Sequence, residues 1–279
     1  MKKYLNLGCG ERVHPDWVNI DLVARQPGII ACDLTNGIPV GSESADAVYH
    51  VAVLEHLRRS DAAKFLKEIY RVLKPGGIVR IGVPDLEKIC RTYLEKIDAA
   101  LTGDEQAGYD YDWIMLEMFD QMVRERSGGE MAGYFRQNPL PNELFVLERI
   151  GDEGRKLSQV MRLQQAKGRA KNGEGFIRGL ARRFRDGLLA LFAGRNAAKA
   201  LAIGRFRLAG EVHHWMYDRF SLARELTAAG FHNPKVCAPS ESSIEDWNDF
   251  RLDVEPDGAV TKPDLFLMEA RKPKDAHGQ

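Results

Sequence analysis

The 279-residue sequence has little of what marks secreted, disulfide-rich or membrane-spanning proteins. It contains only four cysteines, Cys9, Cys32, Cys90 and Cys237, and no two of them have the C-x-x-C spacing of a metal site. We therefore expect free thiols in a reducing compartment. The longest apolar runs fall well short of the roughly 20 residues that a membrane-spanning helix needs. Because the first predicted strand begins at Tyr4, we expect no signal peptide and a cytoplasmic protein.

An excess of charge of one sign is also missing. Forty basic residues balance forty acidic ones, so no net field draws the whole chain to nucleic acid or to a membrane. The balance conceals an asymmetry, however. Residues 154–209 carry fourteen Lys or Arg against two acids, Glu174 and Asp186, which gives +12 there and −12 in the rest of the chain.

The motifs of phosphate-binding turns are incomplete. Gly8 and Gly10 follow an apolar run, but position 13 is Val and not the third glycine of G-x-G-x-x-G. No G-K-S/T follows, as a Walker A loop requires. The acid that closes the next apolar run, Asp21, lies thirteen residues after Gly8, whereas dinucleotide sites place it about 20 residues on. Dinucleotide and ATP sites are therefore disfavoured, and a turn without any ligand remains an alternative.

What the sequence does contain is a regular alternation of short apolar runs and helical patterns. Predicted strands cover residues 4–7, 17–22, 28–34, 45–54 and 78–84, and an amphipathic helix covers 61–77. A helix with Asp85 as its cap follows over residues 85–101. Such alternation requires crossover connections and predicts an α/β fold, a doubly wound, mostly parallel Rossmann-like sheet.

The pattern is interrupted and then resumes. No strand is predicted between residues 103 and 210, where helical segments prevail. A helix capped by Asp218 or Ser221 and two strands, at 233–239 and 262–272, close the chain. We therefore predict a discontinuous Rossmann-like domain, residues 1–102 and 211–279, with an inserted basic helical lid or substrate region, residues 103–210.

Several of these segments, in order, resemble the class I S-adenosylmethionine-dependent methyltransferases, and within them the group associated with polysaccharide biosynthesis. The resemblance covers about 85 residues and also touches the closing segments. It is carried by "LNLGCG", "WVNIDL", "CDLTNGIP", "ADAVYHVAVLEHL" and "EIYRVLKPGGIVRIGVPD", and near the end by "HHWMYDRFSLARELTAAGF" and "KPDLFLMEARK". Two departures concern the first crossover. Arg12 stands where a third glycine is frequent, and the connection is very short and contains Pro15, so we expect its helix to be reduced to a turn.

The resemblance implies S-adenosyl-L-methionine as the cofactor, with S-adenosyl-L-homocysteine as its product. It implies that Asp21 holds the ribose hydroxyls and that Asp33 lies near the adenine, although Asp33 alternatively caps a local turn. A ribose diol suits a carboxylate at the end of a strand, because the carboxylate accepts two hydrogen bonds. The implied cofactor-binding residues are Leu7, Gly8, Cys9, Gly10, Asp21, Leu22, Asp33, Leu34 and His50.

Methyl transfer to a hydroxyl benefits from a base, so histidines are the first candidates. His56 lies in "LEHL", which is alternatively a structural stretch. His213 and His214 precede Asp218, a spacing that suits a base and its orienting group, with helix capping and aromatic packing as the alternative. The predicted catalytic residues are His213, His214, Asp218 and His56. We predict no metal, because Asp246, Asp249 and Asp253 match no calcium loop.

The basic block has three interpretations. Residues 174–193 place Ile, Leu and Phe at helical spacing with arginines on other faces, which suits peripheral contact with an anionic membrane. The same arginines suit a lid that clamps an acidic substrate, and a solvated basic face is the third interpretation. Nucleic acid is disfavoured because interleaved aromatic residues are lacking.

The predicted function is O-methylation of a glycan precursor, a lipid-linked saccharide or a related small molecule. The alternatives are a non-catalytic S-adenosylmethionine-binding partner in glycan assembly and a methyltransferase for RNA or a small metabolite. The predicted location is cytoplasmic or peripheral to the inner face of the membrane. The sequence leaves the oligomeric state open.

Overall fold

The structure is a computed structural model that describes residues 2–166 and 194–274. A seven-stranded sheet organises the first part of the chain and its end. Its strands are β1 (Tyr4–Leu7), β2 (Trp17–Asp21), β3 (Ile29–Ala31), β4 (Ala45–Val51), β5 (Leu73–Pro84), β6 (His232–Cys237) and β7 (Leu265–Arg271). The order across the sheet is β3-β2-β1-β4-β5-β7-β6. Strands β1 to β5 pair in parallel, and β7 runs antiparallel to β5 and β6. The predicted Rossmann-like fold class is confirmed.

This strand order places a topological switch point between β1 and β4. From β1 the chain builds outwards through β2 and β3, and then returns to form β4 on the other side of β1. In open α/β sheets the ligand crevice lies at such a point, outside the carboxyl ends of the strands. The ends of β1, β2 and β4 are therefore where a ligand site is expected.

The helices are α1 (Arg59–Val72), α2 (Leu86–Leu101), α3 (Glu105–Val123), α4 (Met131–Tyr134), α5 (Glu143–Ala166), α6 (Arg195–Arg207), α7 (Arg219–Ala229) and α8 (Trp247–Phe250). Helix α1 packs its predicted apolar stripe, which includes Phe65 and Ile69, into the main core. It ends at Val72, earlier than predicted, because Lys74 and the residues after it already belong to β5. Asp85 caps α2 as predicted, since its Oδ1 accepts the Lys88 N–H at 2.9 Å.

The first crossover has no helix, as the short spacing and Pro15 suggested. A buried pair of amides fixes the turn instead: Asn6 Nδ2 donates to Asn19 Oδ1 at 3.0 Å and to the Arg12 carbonyl at 2.9 Å. The Arg12 guanidinium leaves the turn, donates to the Arg251 carbonyl at 2.8 Å and pairs with Glu255. Arg12 therefore ties the crossover to the end of the chain, which accounts for an arginine where a glycine is frequent.

Aromatic side chains cover the other face of the sheet. Trp17, Tyr49, Trp247 and Phe250 pack with ring centroids 5.2–6.4 Å apart. Beneath them the fully buried Arg80 donates to Asp253 and to Glu269, both at 2.8 Å. This polar network joins β5, β7 and the segment that follows α8.

The chain divides into two compact units. The first comprises the residues up to Thr92, residues 148–152 and the residues from His213 onwards, and the second comprises Tyr93–Leu147 and the residues from Glu153 to Val212. The second unit contains no strand among its described residues, and its first boundary lies within α2. The insertion over residues 103–210 stays a prediction. The predicted membrane segment, residues 174–193, lies outside the described residues. Among the helices described, none has the length and apolar character to cross a membrane.

Candidate functional site

The glycine turn after β1 lies at the switch point and has the backbone shape that glycine allows. Gly8 and Gly10 have φ values of +64° and +55°. The N–H groups of Gly8 and Cys9 donate to the Ile20 carbonyl at 2.7 and 3.2 Å, which joins the turn to β2. A methyl group on Gly8 would lie 2.3 Å from Val53 Cγ2, whereas one on Gly10 would meet nothing within 4 Å. The turn is therefore closed towards β4 and open at Gly10.

The carboxylate of Asp21 faces this open turn. Its Oδ2 accepts the Gly10 N–H at 2.9 Å and its Oδ1 accepts the Val23 N–H at 3.1 Å. These two bonds orient the carboxylate and leave lone pairs on both oxygens, since an ionised carboxylate offers about four acceptor sites. The carboxylate can therefore accept hydrogen bonds from two hydroxyl groups of a ligand that lies beside Gly10.

Apolar surface adjoins Asp21. Leu22, Val23 and Ile30 are large aliphatic residues that are 57%, 51% and 45% exposed at the carboxyl ends of β2 and β3. An acceptor for a diol next to exposed aliphatic surface fits a ligand with a sugar and a flat apolar ring. An adenosyl group without phosphate has this character, and the missing third glycine and lysine are not needed for it.

Other predicted cofactor residues belong to the core. Leu7, Cys9 and Leu34 are 0%, 6% and 9% exposed, so their side chains support the turn and the strand ends from below. Burial raises the pKa of the Cys9 thiol to about 11, which keeps it protonated. Asp33 is exposed, but its oxygens accept from Thr35 N and Oγ1 and from Asn36 Nδ2. It therefore forms the local turn that was the alternative interpretation.

His50 needs a correction. We predicted it as a cofactor-binding residue, but its side chain is fully buried on the α1 side of β4. Its ring lies 5.2 Å from that of Phe65, and neither ring nitrogen has a hydrogen-bond partner among the described residues. Burial lowers its pKa to about 3. Because the His50 side chain is 0% exposed, it is a neutral core residue and not a cofactor ligand.

Two of the predicted catalytic histidines do come together, and an acid joins them. One ligand-type atom from each of Glu55, His56 and His213 lies within 4.8 Å of the other two. The rings of His56 and His213 meet edge to face with centroids 4.6 Å apart. Glu55 and His56 belong to the 3₁₀ turn Leu54–His56 after β4. We call these three residues the acid–histidine cluster.

Glu55 was not predicted from the sequence. It is fully buried, and burial raises its pKa to about 8. Its backbone carbonyl accepts the His214 N–H at 2.6 Å and the Trp215 N–H at 3.4 Å, which brings the segment from His213 to the end of β4. The only signal in the sequence was an acid beside His56 in "LEHL", and nothing local indicated that it is buried.

The remaining predicted catalytic residues lie beside the cluster. His214 is half-buried and contributes its backbone N–H, as described above. Asp218 caps α7: its Oδ1 accepts the Ser221 N–H at 2.7 Å, and the Ser221 hydroxyl accepts the Asp218 N–H at 3.0 Å. The hydrogen bond from the Ser221 N–H lowers the pKa of Asp218, which makes it a weak base. The structure therefore gives Asp218 a capping role, and the capping alternative is the correct one.

Residues 5–81 match the family model described as a methyltransferase domain. The match contains the glycine turn, Asp21, Glu55 and His56. This part of the chain is therefore similar to a methyltransferase domain, and the match leaves the rest of the chain uncovered.

Two curated relatives and one solved structure are similar over parts of the chain. The 25S rRNA (adenine(645)-N(1))-methyltransferase of Schizosaccharomyces pombe is 34% identical over 88 residues, 26% of this chain and 25% of that protein. Elongation factor P of Lachnoclostridium phytofermentans is 26% identical over 113 residues, 40% of this chain and 59% of that protein. The chain thus spans a quarter and about three fifths of these relatives.

A solved structure that is similar in fold is the Burkholderia thailandensis 1,6-didemethyltoxoflavin-N1-methyltransferase with 1,6-didemethyltoxoflavin and S-adenosylhomocysteine bound. Its sequence is 11% identical to this chain. The similarity covers 97% of this chain and 71% of that one, with a TM-score of 0.38.

Proposed function

We propose that the protein is an S-adenosylmethionine-dependent methyltransferase that methylates a hydroxyl group of a glycan precursor, a lipid-linked saccharide or a related small molecule. The observation that carries the proposal is the carboxylate of Asp21. It lies at the switch point of a methyltransferase domain, is oriented by two backbone N–H groups, and faces the open side of the glycine turn.

The proposed chemistry divides between cofactor and chain. S-adenosylmethionine supplies an electrophilic methyl group when bound, so the chain must align the acceptor and take up a proton. Asp21 would hold the ribose hydroxyls, and the absence of side chains at Gly8 and Gly10 would let the ligand approach the backbone. His56 or His213 would take the proton from the acceptor hydroxyl.

The positions of the two parts support this division. A methyl group on Gly8 would collide with Val53, so the glycine turn packs directly against the residues that precede the 3₁₀ turn. The acid–histidine cluster begins two residues later, at Glu55. The proposed cofactor and proton acceptors therefore lie on the same edge of the sheet, at the ends of the neighbouring strands β1 and β4.

Transfer of a labelled methyl group tests the proposal. The full-length protein is incubated with methyl-labelled S-adenosylmethionine and a panel of hydroxyl acceptors: neutral oligosaccharides, nucleotide sugars and lipid-linked pyrophosphate saccharides. We expect label in the saccharide fraction, lost in His213→Ala and retained in His232→Ala, a change at an exposed histidine on β6. Cofactor binding without transfer to any acceptor would favour the non-catalytic partner instead.

The net charge of +12 over residues 154–209 supports an acidic acceptor within that panel. Cationic side chains recognise phosphate and pyrophosphate groups through charge-assisted hydrogen bonds. Pyrophosphate-bearing acceptors are therefore expected to be methylated at lower concentration than their neutral counterparts, with the difference reduced in high salt. Equal use of both kinds of acceptor would contradict this part of the proposal.

The same positive charge supports peripheral contact with an anionic membrane through residues 174–193. Cosedimentation with vesicles tests it, using anionic and zwitterionic lipids in parallel. We expect binding to anionic vesicles only, and its loss when residues 174–193 are deleted. Binding that survives the deletion would contradict the contact.

RNA methylation is the second candidate, and one observation favours it. The rRNA methyltransferase of Schizosaccharomyces pombe is 34% identical over its 88 matched residues. That match covers a quarter of its length. Label in an added rRNA transcript, and none in the saccharides, would decide for RNA.

A further inference from the structure

We propose that Glu55, His56 and His213 form a binding site for a divalent transition-metal ion of the Zn²⁺ class. The three side chains already converge, with one ligand-type atom of each within 4.8 Å of the others. In a tetrahedral zinc site with bonds of about 2.1 Å the ligand atoms are about 3.4 Å apart. Side-chain rotations that move atoms by about 1 Å therefore complete the site.

The donor set selects the class of ion. Two imidazoles and one carboxylate are ligands of catalytic zinc sites and of non-haem iron sites, and imidazole also suits copper and nickel. Magnesium and calcium prefer oxygen ligands throughout, and only one of the three donors here is an oxygen group. The cluster therefore favours a borderline transition-metal ion over Mg²⁺ or Ca²⁺.

The environment of Glu55 is the independent observation that points to a cation. Its side chain is fully buried, and neither carboxyl oxygen has a hydrogen-bond partner among the described residues. The charge of Lys262 acts on it, but a buried carboxyl group whose oxygens lack hydrogen bonds still costs free energy, and native structures rarely keep one without a reason. A cation bound between Glu55 and the two imidazoles would give the carboxylate its missing partner.

The backbone holds the two halves of the site together. The Glu55 carbonyl accepts the N–H groups of His214 and Trp215, which follow His213 directly. The Arg59 guanidinium stacks on the Trp215 ring at 4.6 Å, and the Tyr217 carbonyl accepts the Leu86 N–H at 3.3 Å. These contacts fix the segment that carries His213 against the ends of β4 and β5. The ligands of the proposed metal site are therefore held in place by the backbone.

Three protein ligands leave at least one coordination position for solvent or substrate. His56 is half-buried, so the site has one side that is open to solvent. A metal-bound hydroxyl group loses its proton more readily, here to solvent, which would activate an acceptor for methylation with His56 and His213 as metal ligands in place of the proton acceptor. This role rests on the proposed function, whereas the binding of the ion does not.

Titration with the metal ion alone tests the site. The full-length protein is stripped with a chelator, dialysed and titrated with ZnCl₂ in a calorimeter, with MnCl₂ and MgCl₂ in parallel. We expect one Zn²⁺ per chain, bound more tightly than Mg²⁺. Glu55→Gln should weaken Zn²⁺ binding at least 100-fold, because it removes the charge but keeps the shape, and His213→Ala should do the same.

Two control variants make the result specific. His232→Ala removes an exposed histidine and Glu95→Gln an exposed acid, and neither should change the stoichiometry or the affinity. Circular dichroism and a thermal melt show that each variant is folded. If His213→Ala does not fold, the visible absorption of Co²⁺ in the wild type and in Glu55→Gln gives the same answer, because bound Co²⁺ reports its coordination.

Absence of stoichiometric Zn²⁺ binding, equal binding by Glu55→Gln, or preference for Mg²⁺ would overturn the proposal. Affinity for S-adenosylhomocysteine, measured on the same samples, separates this proposal from the proposed function. Cofactor binding without Zn²⁺ binding refutes the metal site alone. Zn²⁺ binding without cofactor binding refutes the methyltransferase proposal alone.

Discussion

At the scale of single residues, two buried histidines, His50 in β4 and His213 before α7, have different surroundings. His50 is enclosed by apolar side chains, so its imidazole stays neutral. His213 is 7% exposed and lies against a second imidazole and an acid. The sequence predicted a cofactor contact for His50 and a catalytic role for His213, because residue type and position do not reveal whether a side chain is enclosed in the core or meets other polar groups.

The buried state of His50 makes stability depend on pH. Its folded pKa, about 3, lies below the unfolded value of 6.5, so the unfolded chain binds the proton first. The stability that His50 contributes is therefore present above about pH 6.5 and is lost as the pH falls towards 3. Lowering the pH from 7 to 5 should therefore reduce the unfolding free energy by about 2 kcal/mol through His50 alone.

Urea unfolding at pH 5 and pH 7 measures this effect. His50→Leu removes the titrating group and keeps an apolar side chain of similar size, so its loss between the two pH values should be smaller by that amount. His232→Ala, at an exposed position, is the control and should behave as the wild type. An unchanged pH dependence in His50→Leu would contradict the buried neutral imidazole.

The predicted roles of Asp218 can be separated by two substitutions. Asparagine keeps an N-cap acceptor, whereas alanine loses the capping box, so Asp218→Ala should lower the unfolding free energy by about 1 kcal/mol and Asp218→Asn by much less. Thermal melts measure the difference. Loss of methyl transfer in Asp218→Asn at unchanged stability would show that Asp218 is a base after all.

At the scale of elements, the glycine turn offers a matched pair of variants. Both glycines have positive φ, so alanine strains either position by about 1 kcal/mol. Only at Gly8 does the new methyl group meet a neighbour, Val53 Cγ2 at 2.3 Å. Gly8→Ala should therefore be clearly less stable than Gly10→Ala.

The substitution that disturbs stability less, Gly10→Ala, should be the one that disturbs ligand binding. The methyl group of Gly10→Ala projects into the open side of the turn, where the proposed cofactor lies. We expect Gly10→Ala to fold and to bind S-adenosylhomocysteine at least tenfold more weakly. Normal binding by Gly10→Ala would show that the ligand does not approach this turn.

The elements themselves were largely predictable. Alternating apolar runs predicted all seven strands, and Pro15 and the short spacing predicted the reduced first crossover. Asp85 and Asp218 identified two helix starts, because capping is a local interaction between neighbouring residues. The end of α1 was less predictable, since β5 already begins at Leu73, before the Lys-Pro-Gly-Gly segment, and pairing with β4 decides the boundary.

At the scale of the whole molecule, the acid–histidine cluster and the Arg80 network were not predictable. Each depends on residues far apart in sequence that meet only when the closing segments pack on the sheet. Glu55 carried no local signal of burial, and Asp253 appeared only as an acid that matched no calcium loop. The sequence identified His56 and His213 as candidate site residues, but neither their convergence nor the burial of Glu55 beside them.

The Arg80 network should carry much of the link between the sheet and the end of the chain. Arg80 is fully buried between Asp253 and Glu269, and it also donates to the Glu241 carbonyl at 2.7 Å. Hydrogen bonds from Ser242 and the Ser243 N–H, together with Arg80, lower the pKa of Glu269 despite its burial.

Without the Arg80 guanidinium, the buried acids Asp253 and Glu269 lose their cationic partner. Arg80→Ala should therefore lower the unfolding free energy by about 3–5 kcal/mol. Denaturant melts measure this. The matched variant Arg271→Ala, at an exposed position on β7, should cost far less. Equal effects of the two variants would show that the network contributes little.

In the proposed function, Asp21 holds the ribose of an adenosyl cofactor. Calorimetric titration of S-adenosylhomocysteine into the wild type, Asp21→Asn and Asp33→Asn tests it most directly. Two charge-assisted hydrogen bonds at about 1.5 kcal/mol or more each predict at least a 100-fold weaker affinity for Asp21→Asn. Asp33→Asn should bind nearly as the wild type, because Asp33 is engaged in its own turn. Wild-type affinity in Asp21→Asn, or no binding by the wild type at millimolar ligand, would contradict the claim.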